Sequence, residues 1–303
     1  MTENRLADGQ QGEAAVDGRD SRRYSPTREL WKSLLTNKRA LAGGAIVILL
    51  VVVALLAPQV SPYDHTRQDI ANRLSPPSPE HWLGTDELGR DVLSRIIYGA
   101  RTSLTVGGLS VAVAMLLGVV IGAVSGYFGG TLDDVLMRIA DVFLAIPGIV
   151  LAIALVAVLG ASTWNVILAL GITEWVNFAR VVRGQVLSVR EREYVVAARA
   201  SGAAAPRILM RHVLPNVASS VIVMATLSLA TMIIAEASLG YLGLGVPPPQ
   251  PTWGGMLNTG QRFIHTAVHL SVFPGLFIVV TVLGVNLFGD ALRDLLDPKL
   301  GRD

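Results

Sequence analysis

Groups able to do chemistry are scarce in this chain and fall in a few places. The stretch REREYVVAARASGAAAPRILMRHVLPN, residues 190–216, carries Arg190, Arg192, Arg199, Arg207 and Arg211 between long apolar runs. Guanidinium forks pair with carboxylates, so this stretch is suited to gripping a partner; the bland alternative is a positive loop whose arginines meet lipid headgroups. Glu174, with Asn177 three residues on, stands near the middle of an apolar run, where an ionisable group is costly and often functional. It either touches a cargo amine in a translocation path, or is protonated, or is bonded to Asn177 or a facing helix. Glu236 sits at the outer end of another apolar run. His265 and His269 have a spacing able to hold a metal on one helix face, but two further ligands are lacking nearby, so no metal site is expected.

Several chemistries are excluded outright. Zero cysteines rule out disulfides, thiolate metal sites and a cysteine nucleophile. No Ser/His, paired-Asp or His-x-x-x-His-plus-carboxylate set lies within the apolar runs, so no catalytic residue is assigned. The phosphate-binding pattern G-x-x-x-x-G-K-[ST] is absent, so the chain itself cannot hydrolyse ATP. The arginines are not interleaved with aromatics as a nucleic-acid surface would require, and the net charge is only +2.

The elements that must position these groups are membrane helices. Apolar residues make up 51% of the 303, and charged residues 16% against about 25% in a soluble domain. Six stretches reach the roughly 20 apolar residues a span needs: about 41–60, 103–127, 140–160, 165–183, 217–238 and 271–289. Of the 25 Lys and Arg, 19 fall in residues 1–40, the 126–141 loop, the 179–215 loop and the tail after 289. By the positive-inside rule those segments, and both termini, face the cytoplasm. The expected organisation is a disordered cytoplasmic tail (1–28), an anchor with a Pro-rich external linker (29–80), an external amphipathic helix (81–102), a five-span transmembrane domain (103–292) and a short cytoplasmic tail (293–303).

Within the arginine loop, 188–215, Ser188 and Glu191 predict a capping box that starts a helix at about 189. Tyr194, Ala197, Ala198 and Ser201 then recur on one small-sided face, and Gly202 ends the helix in a left-handed conformation. Pro206 suits the first turn of a second short helix, which Pro215 is expected to stop.

These residues resemble the cytoplasmic EAA loop of permease subunits in ATP-binding-cassette importers. Ala197, Ala198, Gly202, Leu214 and Pro215 match its pattern; Val196 stands at the glutamate position and His212 at the usual isoleucine, which weakens a polar contact to the ATPase. The segments HWLGTDELGRDVLSRIIYGARTSL (81–104), EASLGYLGLGVPPPQPTWGGML (236–257) and NLFGDALRDLLDP (286–298) are similar to the dipeptide/oligopeptide/nickel branch, in its C-type subunit. The resemblance implies an all-α, six-span, type I importer permease in the bacterial cytoplasmic membrane. It implies a heterodimer with a second permease, two cytoplasmic ATPase subunits that use ATP and Mg, and a periplasmic or lipid-anchored solute-binding protein. No cofactor is bound by this chain itself. The implied cargo is di- or oligopeptides; nickel chelates, opines or other small solutes are the alternative, and a stand-alone ion-coupled transporter is the alternative of another class. The implied coupling residues are Tyr194, Ala197, Ala198, Gly202, Arg207, Arg211, Leu214 and Pro215. Glu174, Asn177 and Glu236 are the candidates for the translocation path, although Glu236 opens a family motif, which favours a gate or scaffold role there over contact with cargo.

The remaining features are weighed as follows. Ser110, Ala114, Gly118, Gly122 and Gly126 repeat every four residues and suit close helix packing, against either the partner permease or a neighbouring helix of this chain. Pro147 and Pro274 should kink their spans. Asp86–Arg90 and Asp91–Arg95 are i,i+4 pairs flanking Val92, Leu93, Ile96 and Ile97, the basis for the external helix. Asp290, Arg293, Asp294 and Asp297 suggest a charge network at the last span's end.

Overall fold

The computed structural model describes residues 37–296. The tail expected over 1–28 and Asp297 of the terminal charge network lie outside the described residues. Among these residues the protein is helical, the one strand-like feature being a bridge between Thr85 and Asp91. Helix α1 is Lys38–Leu55, α2 Val92–Phe128, α3 Gly130–Leu144, α4 Gly148–Leu159, α5 Thr163–Arg190 and α6 Glu193–Ala200. Helix α7, Ala205–Ile208, leads through a π turn, Leu209–Val213, into α8, Leu214–Tyr241; α9 is Trp253–Gly260 and α10 His269–Leu296.

Local chemistry explains where the helices begin. Asn37, Asp91, Ser162 and Thr252 each accept a hydrogen bond from the exposed amides of the first turn of α1, α2, α5 and α9. Five helical stretches are long and apolar enough to cross a membrane: Lys38–Leu55, Val92–Phe128, Thr163–Arg190, Ala205–Tyr241 and His269–Leu296. The sixth expected span is not straight. Helices α3 and α4 meet at 86°, broken at 145–147, with Pro147 capping α4. At 1.5 Å per residue, the 12 residues of α4 extend only about 18 Å, short of a roughly 30 Å core. Much of what the sequence suggested as the 126–141 loop is therefore helix α3.

The core is built on α2 and α5. Their axes come close because α2 offers its small-residue stripe: a Cβ added at Gly118 would stand 2.6 Å from the Trp175 carbonyl, and one at Gly126 2.9 Å from that of Arg183. At Gly122 the added atom would lie 2.9 Å from Val182 Cβ. The stripe thus faces a neighbouring helix of this chain. Phe178, Val182, Val186, Val166 and Leu170 of α5 fill the same seam. At the molecule's edge α1 docks on α10, where a Cβ at Gly43 would come within 2.8 Å of the Gly284 carbonyl.

The external segment departs from the expected amphipathic helix over 81–102. Residues 61–91, the last eleven of which were expected to open that helix, form a turn-rich cap, and the helix starts at Val92, continuous with the second span. Gly84 and Gly89 take φ of +78° and +72°, and Asp91 turns its carboxylate onto Ser94 N and Oγ (2.7 Å each), which ends the turns and opens α2. Arg95 pairs not with Asp91 but with Asp86, at 3.3 Å. Val92 and Ile96 are buried against Met256 and Leu270 rather than laid on a membrane surface. The boundary expected at 102/103 falls inside α2, and that at 292/293 inside α10.

Candidate functional site

The arginine stretch folds as an exposed elbow beneath the bundle. It does not begin with the expected capping box, because α5 runs on to Arg190 and holds Ser188 in its last turn. Helix α6 starts instead at Glu193, with Arg192 at the cap position and no side-chain cap. It ends in a Schellman motif: Gly202, at φ +79°, donates to the Arg199 carbonyl (3.0 Å), and Ala203 N to that of Ala198 (3.1 Å). Three fully buried side chains peg the elbow to the core, Val195 from α6, Ile208 from α7 and Val213 from the π turn.

Pro215 does not stop the second short helix. The chain runs helically from Ala205 to Tyr241. Proline has no N–H to donate; here the π turn carries the helix through, with Leu214 N bonded to Leu209 O and Asn216 Nδ2 to the His212 carbonyl at 2.6 Å. The second half of the elbow, from Ala205, and the fifth span are one continuous helical stretch.

The elbow's outer face carries Tyr194, Val196, Ala197, Ser201, Gly202, Arg207, Met210 and Arg211, all exposed; Ala198 and Leu214 are half-buried toward the core. His212, which replaces the motif's isoleucine, lies against Tyr194 with ring centroids 6.3 Å apart. The five arginines divide. Arg190 donates to the Gly126 carbonyl (2.9 Å) and Arg199 lies 5.7 Å over the Tyr127 ring, so both tie the elbow to the end of α2. Arg192, Arg207 and Arg211 are exposed, and no carboxylate among the described residues pairs with them.

A second polar region runs along α5. Glu174 accepts from Asn177 Nδ2 at 3.0 Å and from Ser228 Oγ of α8 at 3.3 Å, so its carboxylate is bonded both to its own helix and to a facing one. Nearer the Arg190 end of the same helix, Arg180 donates to Asp141 of α3 at 2.6 Å. Next to it Arg183 grips Asp133 with two bonds of 2.6 Å, and Ser125 also donates to Asp133. These two ion pairs were not among the residues singled out in the sequence. The signal was present in the spacing of Asn177, Arg180 and Arg183 at the end of a span, opposite the carboxylates of 133–141.

Glu236 is fully buried near the Tyr241 end of α8, its carboxylate facing the hydroxyls of Ser103 and Thr252. Beside it Trp253 is also fully buried and donates from Nε1 to the Ile96 carbonyl at 3.2 Å. His265 and His269 do not share a helix face, since His265 lies in the turn before α10, while His269 faces the Thr85 carbonyl at 3.2 Å.

Comparison with known proteins settles the family. Residues 118–302 match the model of the binding-protein-dependent transport system inner membrane component, and residues 25–77 that of the N-terminal TM domain of oligopeptide transport permease C. The chain belongs to the binding-protein-dependent transport permeases. It is 45% identical to the dipeptide transport system permease protein DppC of Alkalihalophilus pseudofirmus, over 91% of each chain. It is 41% identical to the oligopeptide transport system permease protein OppC of Bacillus subtilis, over 95% of this chain and 96% of that one. It is 45% identical to the glutathione transport system permease protein GsiD of Pectobacterium atrosepticum, over 93% and 94%. Among solved structures, a chain of the inward-facing MetNI methionine ABC transporter superposes with TM-score 0.55 at 20% identity, covering 67% of this chain and 97% of that one. That likeness is one of fold alone. As a family member this chain is a multi-pass inner membrane permease subunit of an ABC importer.

Proposed function

We propose that this permease forms half of the translocation path of an ATP-driven importer for di- and oligopeptides, and that its elbow is where the motor subunits take hold. The cargo reading rests on relatives named for dipeptide, oligopeptide and glutathione transport, glutathione itself being a peptide. The partners are a second, homologous permease, two ATPase subunits and an external solute-binding protein. ATP and Mg are used by the motors, since the sequence lacks a phosphate loop. Both termini face the cytoplasm, as the distribution of Lys and Arg favours.

The observation that carries the coupling role is the unbroken helix Ala205–Tyr241, whose first turns are exposed elbow and whose remainder is a span. A push on Tyr194, Ala197, Gly202, Arg207 or Arg211 reaches the span through packed pegs and continuous helix, without a hinge at Pro215. The polar face of α5 at Glu174 and Asn177 lines the path, because exposed Asn177 and half-buried Glu174 are poorly suited to hydrocarbon. The test is charge reversal. Arg207→Glu with Arg211→Glu should abolish co-purification of the ATPase subunits and peptide uptake while leaving the melting temperature of the permease unchanged. Retained association and transport would remove these arginines from the docking surface.

A further inference from the structure

The two ion pairs that join α3 to α5 are built differently. Arg183–Asp133 is bidentate and further bonded by Ser125, with only 11% of the Asp133 side chain exposed, so it is saturated and structural. Arg180–Asp141 is held by one bond of 2.6 Å, both side chains are 49% exposed, and the one other ionic contact of Asp141 is Arg138 at 4.0 Å. An exposed charged pair on membrane helices does not face hydrocarbon. It opens instead on a cavity of about 330 Å³ lined by Met137, Asp141, Arg180 and Arg183, room for about ten water molecules or the end of a peptide. Glu174 and Asn177 stand on the same helix within about 9 Å along its axis, Glu174 turned toward α8 and Arg180 toward α3, so the polar groups wind around α5 toward this end. Asp141 also sits four residues before the 145–147 break between α3 and α4, where a released arm can move.

We propose that Arg180 and Asp141 receive the charged ends of a zwitterionic peptide near the cytoplasmic exit. Arg180 takes the cargo's carboxylate and Asp141 its ammonium group. The protein's own pair opens as the cargo's charges replace it, which loosens α3 from α5 as the peptide leaves. Guanidinium forks match carboxylates, and an ion pair held by a single bond exchanges more readily than a bidentate one. This assignment rests on the peptide-importer reading.

The experiment uses the complete importer in proteoliposomes, with trialanine, its C-terminal amide and its N-acetyl form as cargo. Taking variant over wild type for each cargo cancels the external receptor's own preference. Arg180→Gln should slow trialanine uptake about tenfold and leave the amide within about twofold, the loss of one charge-assisted contact. Asp141→Asn should show the complementary pattern, sparing the N-acetyl peptide. An equal fall for all three peptides, or no fall, overturns the proposal and makes the pair a latch or a bystander. Where the receptor delivers neither capped peptide, a benzophenone side chain at Met137 decides. Capture of labelled trialanine during turnover, reduced about tenfold by Arg180→Gln, supports the site; no capture overturns it. A wild-type complex that hydrolyses ATP yet imports no peptide overturns the importer reading itself, an outcome distinct from normal uptake by Arg180→Gln.

Discussion

The cap at residues 61–91 and the elbow at residues 193–213 are both short, turn-rich excursions from the bundle, but they are held by opposite means. Asp86 of the cap accepts from Leu88 N, Arg90 N and Arg90 Nε at 2.7–2.9 Å and forms an ion pair with Arg95 at 3.3 Å, while Asp91 binds Ser94 and meets His81 Nδ1 at 2.9 Å. Both carboxylates are buried. The elbow has no such network; Val195, Ile208 and Val213 peg it from beneath, and its outer face is open. Buried polar networks are costly to leave half satisfied, so they fix one geometry. Apolar pegs under an exposed face let a segment move as a unit with whatever grips it. The cap is built to hold its shape, the elbow to be handled.

The comparison breaks first, and hardest, at Asp86. Asp86→Ala leaves buried Arg95 without its partner, and losing one member of a buried pair costs about 3–5 kcal/mol. The complex should melt at markedly lower temperature and be cleaved by protease within 61–91, while the ATPase subunits still co-purify. Loss of the ATPases at an unchanged melting temperature would mean that cap and elbow are not the separate devices described here. A smaller effect separates two glycines that share a left-handed conformation. A Cβ at Gly89 would collide with the Asp69 backbone, whereas one at Gly202 would meet nothing within 4 Å. Gly202→Ala should therefore cost only the conformational strain, about 1 kcal/mol, and Gly89→Ala several times that. Equal shifts in melting temperature for the two variants would remove the distinction between a packed cap and an open elbow.

What could be read in the sequence follows the same division. Five of the six expected spans were legible because apolar length is a local property, and Gly202 because only glycine ends a helix at little cost in the left-handed region. The elbow's small and basic face was legible for the same reason. The cap was misread as a helix because Asp86–Arg90 and Asp91–Arg95 have helical spacing, while what decides the conformation is tertiary: Asp86 bonding backbone across a turn and Asp91 capping α2. Ser188 had the residues of a capping box, but Val186 and Val189 bury themselves in the core and keep α5 going past it. Pro215 looked like a stop because the π turn that accommodates it has no sequence signature. The Arg180–Asp141 and Arg183–Asp133 pairs join residues 39 and 50 apart, and only the tertiary packing of α3 against α5 brings them together.

The smallest expected effect concerns proton uptake by the cap. His65 stacks on Tyr98 with ring centroids 3.9 Å apart, and its Nδ1 is buried without a hydrogen-bond partner. Burial lowers its pKa below the ordinary 6.5, Arg95 and Arg90 push the same way, and Asp64 opposes them in part. The unfolded chain therefore holds the imidazole proton more tightly than the folded cap does. Unfolding takes up a proton below about pH 6.5, so this contribution to stability is complete above that pH and is lost on acidification. Protease cleavage within 61–91, followed from pH 8 to 5.5, should rise at the acid end in the wild type. His65→Phe keeps the stack on Tyr98 and removes the titration, so its acid rise should be shallower. Accessibility of a cysteine placed at Ser201, on the open elbow, should not follow the His65 substitution at any pH. Identical acid slopes for wild type and His65→Phe would mean that the ring is solvated and that the cap's rigidity comes from its carboxylates alone.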